Sequence, residues 1–93
     1  MRLDWVQGGG MFIDGAQIRA ARALLNWSSA ETAAKAGIAR QTLYRLETYD
    51  DRPPSRSATL GELARIFVEG GVEFIDADGE KGPGVRLARP LRE

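Results

Sequence analysis

The stretch that decides the fold is Ser28–Glu47, Ser-Ser-Ala-Glu-Thr-Ala-Ala-Lys-Ala-Gly-Ile-Ala-Arg-Gln-Thr-Leu-Tyr-Arg-Leu-Glu. It divides at Gly37. Before that residue, Ser28-x-x-Glu31 has the form of a capping box, in which each side chain satisfies a backbone N–H of the first helical turn. A short helix Ser29–Ala36 then carries Ala30, Ala33, Ala34 and Ala36. A small residue such as Ala33 lets a second helix cross closely. Gly37 supplies the left-handed residue that ends the helix, and Ile38 plugs the turn. The spacing of Ile38, Leu43 and Leu46 predicts a third helix, Arg40 to Thr48, with these residues inward and a polar face outward. Two short helices joined by a tight glycine turn form the helix-turn-helix pattern, whose second helix is free to enter a DNA groove.

Working outward, Asp14-x-x-Gln17 is another capping box. It opens a first helix that runs to about Asn26, with Ile18, Ala21, Leu24 and Leu25 recurring at helical spacing. Gln17, Arg19, Arg22 and Asn26 take its other faces, and Trp27 falls in the following turn. On the other side, residues 49–58 read as a loop, because Pro53-Pro54 cannot continue a helix. A third box, Thr59-x-x-Glu62, is expected to start a fourth helix with Leu60, Leu63, Ala64, Phe67 and Val68 as its apolar stripe. Gly61 costs that helix about 1 kcal/mol relative to Ala, and Gly70-Gly71 stops it. Residues 72–88 read as a β-hairpin, with Val72–Ile75 and Val85–Leu87 flanking a turn-rich loop. Trp27 and Phe67 read as core.

The 93 residues suit one domain. The expected organisation is an N-terminal extension (residues 1–13), a helix-turn-helix domain (14–70), and a hairpin with tail (71–93) as candidate dimerisation element. The extension reads either as disordered or as an arm, since Gly8-Gly9-Gly10 holds no regular element cheaply while Leu3, Trp5 and Val6 are apolar enough to dock. With no Cys and no His, thiolate and imidazole catalysis, disulfides and Cys/His zinc sites are excluded. No metal, cofactor or catalytic constellation is expected; Asp76-Ala77-Asp78-Gly79 lacks the Glu that would close a calcium loop. No apolar run approaches the roughly 20 residues that span a bilayer, and no charged-then-apolar leader stands in the sequence, so a cytoplasmic protein without membrane contact is expected. Thirteen basic and thirteen acidic residues give zero net charge. Residues 15–49 nevertheless carry five cations against two carboxylates. A local field of that kind is enough for phosphate.

These features resemble one family, the Cro/CI-type (XRE) helix-turn-helix regulators, over about residues 14–69. The resemblance extends to small bacterial regulators that read Gly-Ala-Gln-Ile-Arg-Ala-Ala-Arg-Ala-Leu-Leu-x-Trp-Ser, here Gly15–Ser28, and that close on motifs matching Gly71–Asp76 and Gly82–Leu87. It implies a mainly α, lambda-repressor-like bundle of four to five helices plus the C-terminal hairpin, binding DNA as a dimer. Ser29 stands where the family often has a phosphate-contacting Gln, Thr32 where Leu is usual, and Ala39 where a Ser or Thr caps the recognition helix.

Carried over by position, Arg40, Gln41, Thr42, Tyr44 and Arg45 are the candidate base-contact residues. Arg pairs with guanine O6/N7 and Gln with adenine N6/N7. Ser28, Ser29, Arg22, Arg52 and Arg56 are the candidate phosphate contacts, and Arg22 with Glu47 the candidate structural pair. The function expected is a sequence-specific double-stranded DNA-binding regulator, a repressor acting as a homodimer on a near-palindromic operator and not an enzyme. An antitoxin with a toxin partner and a protein-interaction module are the alternatives, and RNA polymerase is a further candidate partner.

Overall fold

The computed structural model describes residues 13–49 and 57–90. The expectations for residues 1–12, for Arg52 and Arg56, and for the tail beyond Pro90 fall outside the described residues.

Asp14 caps α1 (Gly15–Leu25) as its sequence requires. Its carboxylate accepts from the Gln17 N–H at 2.7 Å, and Gln17 Oε1 accepts from the Asp14 N–H at 3.0 Å. Asn26, left-handed at φ 60°, ends the helix. In α2 (Ser29–Ala36) the Ser28 hydroxyl takes the Glu31 N–H at 3.0 Å, and no reciprocal bond from the Glu31 carboxylate forms among the described residues. Gly37, at φ 71°, ends α2 in the left-handed region, where a side chain would be costly. α3 (Arg40–Glu47) follows without a side-chain cap, Ala39 having none to give. α4 (Ser57–Gly70) leads into an antiparallel hairpin of β1 (Val72–Ile75) and β2 (Gly84–Leu87), in register Val72 with Leu87 and Phe74 with Val85.

The core lies where the helices meet the hairpin. Ile18, Ala21, Ala33, Leu43, Leu46, Leu60, Leu63, Ala64, Phe67, Val72 and Phe74 are all buried there, with Ile13 beside them. Phe67 is its centre. Trp27 stacks on it with ring centroids 5.6 Å apart, and Phe74 meets it edge-on at 6.2 Å, the arrangements that aromatic quadrupoles favour. The hairpin's inner face is thus part of the same core as the helices.

Three expectations need correction. Leu24, placed on the apolar stripe, is 39% exposed. At 3.6 residues per turn it sits roughly 120° around α1 from Ile18, while Leu25 returns to the inward side. Gln17, placed on an outer face, is buried. Its amide N–H groups donate to the Gly84 and Ile75 carbonyls, at 3.1 and 3.4 Å, so one side chain both closes the cap of α1 and ties the hairpin to it. Thr59 does not cap α4, which begins at Ser57. Glu62 is instead drawn to Arg65, whose Nε lies 3.1 Å from Glu62 Oε1 and whose Nη1 lies 2.7 Å from Glu69 Oε2. Thr32, which stands where the family usually has Leu, is fully buried, and its hydroxyl donates to the Ser28 carbonyl at 2.8 Å, which removes the penalty for an unpaired polar group.

Candidate nucleic-acid interface

The site begins with what fixes α3. Leu43 and Leu46 are buried, so the face of α3 opposite them must point away from the protein. Its C-terminal end is held by α1. Gly15 packs so closely there that a Cβ would overlap the Tyr49 carbonyl and lie 2.8 Å from the carbonyls of Leu46 and Glu47. Arg19 Nη1 donates to the Glu47 carbonyl. Arg22 then grips the Glu47 carboxylate in a two-bond fork, Nε to Oε2 at 2.8 Å and Nη2 to Oε1 at 3.1 Å, and its Nη1 donates to the Trp27 carbonyl at 3.3 Å. Glu47 is buried. Forked arginine–carboxylate pairs fix direction as well as distance, so α1, the turn at Trp27 and the end of α3 are locked as a unit. This is the pair expected from the sequence. The roles of Gly15 and Arg19 were not foreseen; both lie in the quoted Gly15–Ser28 motif, but only the packing shows what they touch.

On the outward face, Arg40, Gln41, Tyr44 and Arg45 are exposed, Tyr44 by 67%. Arg40, Gln41 and Tyr44 join Ser29, from the first turn of α2, around an open hollow of about 380 Å³. The structure therefore brings together three of the five candidate base contacts and one candidate phosphate contact. Arg45 stands on the same helix outside that hollow, and Thr42 is half-buried at its flank. Ser28 is spent on its own cap.

The charge arrangement explains how a chain of zero net charge presents a cationic face. Glu62 and Glu69 neutralise Arg65, Glu73 neutralises Arg86 at 2.6 Å, and Glu47 neutralises Arg22. The Arg65 guanidinium holds the Glu62 carboxyl below the usual carboxylate range, first through the hydrogen bond and then through its charge. Arg40 and Arg45 form no ion pair among the described residues. Lys35 lies over the Trp27 ring, 4.9 Å from its centroid, a contact that leaves its charge intact. Among the described residues, the outward face of α3 thus presents two arginines that no carboxylate pairs.

The arrangement holds three features of a duplex reader: an exposed helix face with a bidentate donor and an amide, a neighbouring helix N-terminus, and a rigid mount. Helix N-termini present free N–H groups to anions. Among the described residues, no helix is long and apolar enough to cross a membrane. A comparison with curated proteins finds no match. The family model for the helix-turn-helix (HTH_3) matches residues 18–67, from Ile18 in α1 to Phe67 at the aromatic centre of the core, more than half of the chain. The chain belongs to the XRE-type helix-turn-helix family and is a DNA-binding transcriptional regulator.

Proposed function

We propose that the protein is a repressor that binds a near-palindromic operator as a homodimer, with α3 in the major groove of each half-site. The observation that carries the proposal is the outward face of α3, where Arg40, Gln41 and Tyr44 share one hollow with Ser29. In this reading Arg40, Gln41, Thr42, Tyr44 and Arg45 read base edges. Ser28 and Ser29 offer the α2 N-terminus to a phosphate, Arg22 adds an N–H not spent on Glu47, and Arg52 and Arg56 serve the backbone beside them. A helix of eight residues contacts only a few base pairs, and a second copy one helical turn away, about 34 Å, provides the rest of the affinity and specificity.

The test is binding to random and selected duplexes by fluorescence anisotropy over a salt series. If a dimer neutralises about 6–10 phosphates, affinity falls by roughly 10³–10⁵ between 50 and 200 mM salt, and selected sites show two half-sites per duplex. Salt-independent binding, or one protomer per selected site at saturation, would refute the proposal.

A further inference from the structure

A second concavity lies between the end of α2 and the last turns of α4. It holds about 330 Å³ and is lined by Trp27, Lys35, Arg65, Ile66, Glu69 and Gly70, none of which belongs to the hollow on α3. The volume falls at the low end of the range for pockets that seat small ligands, about 300–1,000 Å³, enough for a single ring with one substituent. Its wall is firm. Gly70 packs so closely on Trp27 that a Cβ there would lie 2.8 Å from the indole ring and from the Leu25 side chain. Phe67 stacks on the indole with ring centroids 5.6 Å apart, and Arg22 Nη1 holds the Trp27 carbonyl. Ile66, also in the lining, is buried. An indole ring and a branched aliphatic chain thus form one fixed apolar surface.

The charges around this surface select the occupant. The Lys35 ammonium stands over the Trp27 ring, 4.9 Å from its centroid, and forms no ion pair among the described residues. A cation over a ring keeps its charge, and its N–H donors stay free for an acceptor. Arg65, by contrast, is spent. Glu62 and Glu69 both hold its guanidinium, Glu69 at 2.7 Å, so these three side chains together carry one net negative charge. A ligand that satisfies the arrangement needs a flat apolar body for Trp27 and Ile66 and one negative charge for Lys35. A second negative charge would meet the surplus carboxylate beside Arg65, and a cation would meet Lys35. We propose that this pocket binds small aromatic monocarboxylates, with the ring against Trp27 and Ile66 and the carboxylate on Lys35 Nζ. The proposal does not depend on how the face of α3 is read.

The experiment is a titration of the full chain with benzoate, followed by heteronuclear NMR of the amide and indole N–H groups. The Trp27 indole signal is told apart from that of Trp5 by Trp5→Phe. The expected result is that the Trp27 indole N–H and the backbone N–H groups of Ile66 and Gly70 shift along one saturable curve, with half-saturation in the millimolar range. Benzyl alcohol, which keeps the ring and drops the charge, binds about three- to fivefold more weakly. Acetate, which keeps the charge and drops the ring, binds more weakly still. Lys35→Met retains the aliphatic stem over the indole and weakens benzoate by the same factor as the loss of its charge, and Lys35→Arg restores most of the affinity. Lys35 is exposed, so the far-UV circular dichroism of both variants matches that of the parent. Should Lys35→Met lose structure, the contrast between benzoate and benzyl alcohol on the unsubstituted chain decides the same question. The proposal is overturned if the shifts grow linearly without saturation, if benzyl alcohol or acetate matches benzoate, or if Lys35→Met binds benzoate as the parent does. Shifts centred on other residues, Arg40 and Arg45 among them, mean an adventitious contact and overturn it as well.

Discussion

The Arg22–Glu47 pair offers a prediction whose size follows from burial. The side chains are 25% and 8% exposed respectively, so the two halves of the pair face unequal consequences when the other is removed. Arg22→Met keeps most of the aliphatic stem and removes the guanidinium. It strands a nearly buried carboxylate, for which broken buried pairs cost about 3–5 kcal/mol. It also frees the Trp27 carbonyl, worth about 1 kcal/mol. Glu47→Gln keeps the shape and one acceptor, and the cation it leaves behind still reaches water. Its cost is that of a weakened charged hydrogen bond, about 1.5–3 kcal/mol. The double variant strands no charge, so it costs less than the two single losses together, with a coupling of about 1–3 kcal/mol. A 93-residue domain has of order 5–14 kcal/mol in hand, so Arg22→Met lies near the edge of folding at 25 °C and the cycle is best run at low temperature. The assay is urea denaturation followed by circular dichroism, with free energies compared at a common denaturant concentration. Equal losses for the two single variants, with no coupling, would show that the fork is a surface ion pair, and the argument that it mounts α3 would fall.

Three further outcomes follow from other parts of the structure. Gly61 sits inside α4 with nothing described within 4 Å of a Cβ there, so Gly61→Ala should raise stability by about 1 kcal/mol. Gly37→Ala, at φ 71°, should lower it by about 1–2 kcal/mol; equilibrium denaturation of both variants checks the contrast in sign. Gln41→Ala should cost about 1–3 kcal/mol of affinity on the preferred duplex and relax preference at one base pair, measured on a panel of single-base variants; an unchanged preference would remove Gln41 from the reading face. The Asp78 carboxylate accepts the N–H groups of Glu80 and Lys81, at 2.8 and 2.7 Å, and these bonds hold its pKa below the usual carboxylate value. Its contribution is therefore complete above about pH 3.9, the value in an unfolded chain, and is lost as pH falls through the lower folded value. Amide NMR shifts of Glu80 and Lys81 should follow that titration, and in Asp78→Asn they should become pH-independent.

The sequence by itself determined the elements of this protein. Capping residues and glycine stops are local chemistry, and at Asp14, Ser28 and Gly37 the signals stand next to the groups they satisfy. The exposed face of α3 was legible for the same reason: Leu43 and Leu46 dictate which side is buried, and the remaining positions follow from the 3.6-residue period. Arg40, Gln41, Thr42, Tyr44 and Arg45 came as candidates from the resemblance to the family, and all but the half-buried Thr42 are exposed. Only the tertiary structure decided what the polar residues of α1 do. Gln17 looked like a capping residue, but its other donors are used 58 and 67 residues away, on hairpin carbonyls. Arg19 and Gly15 looked unremarkable until the end of α3 was placed against them. Thr59 and Glu62 had the spacing of a cap, yet an arginine three residues on competed for the glutamate, and the helix began earlier. In each case the deciding partner is distant in sequence or one of several local choices of similar energy. A pattern of spacings does not rank such choices, whereas a packed core does.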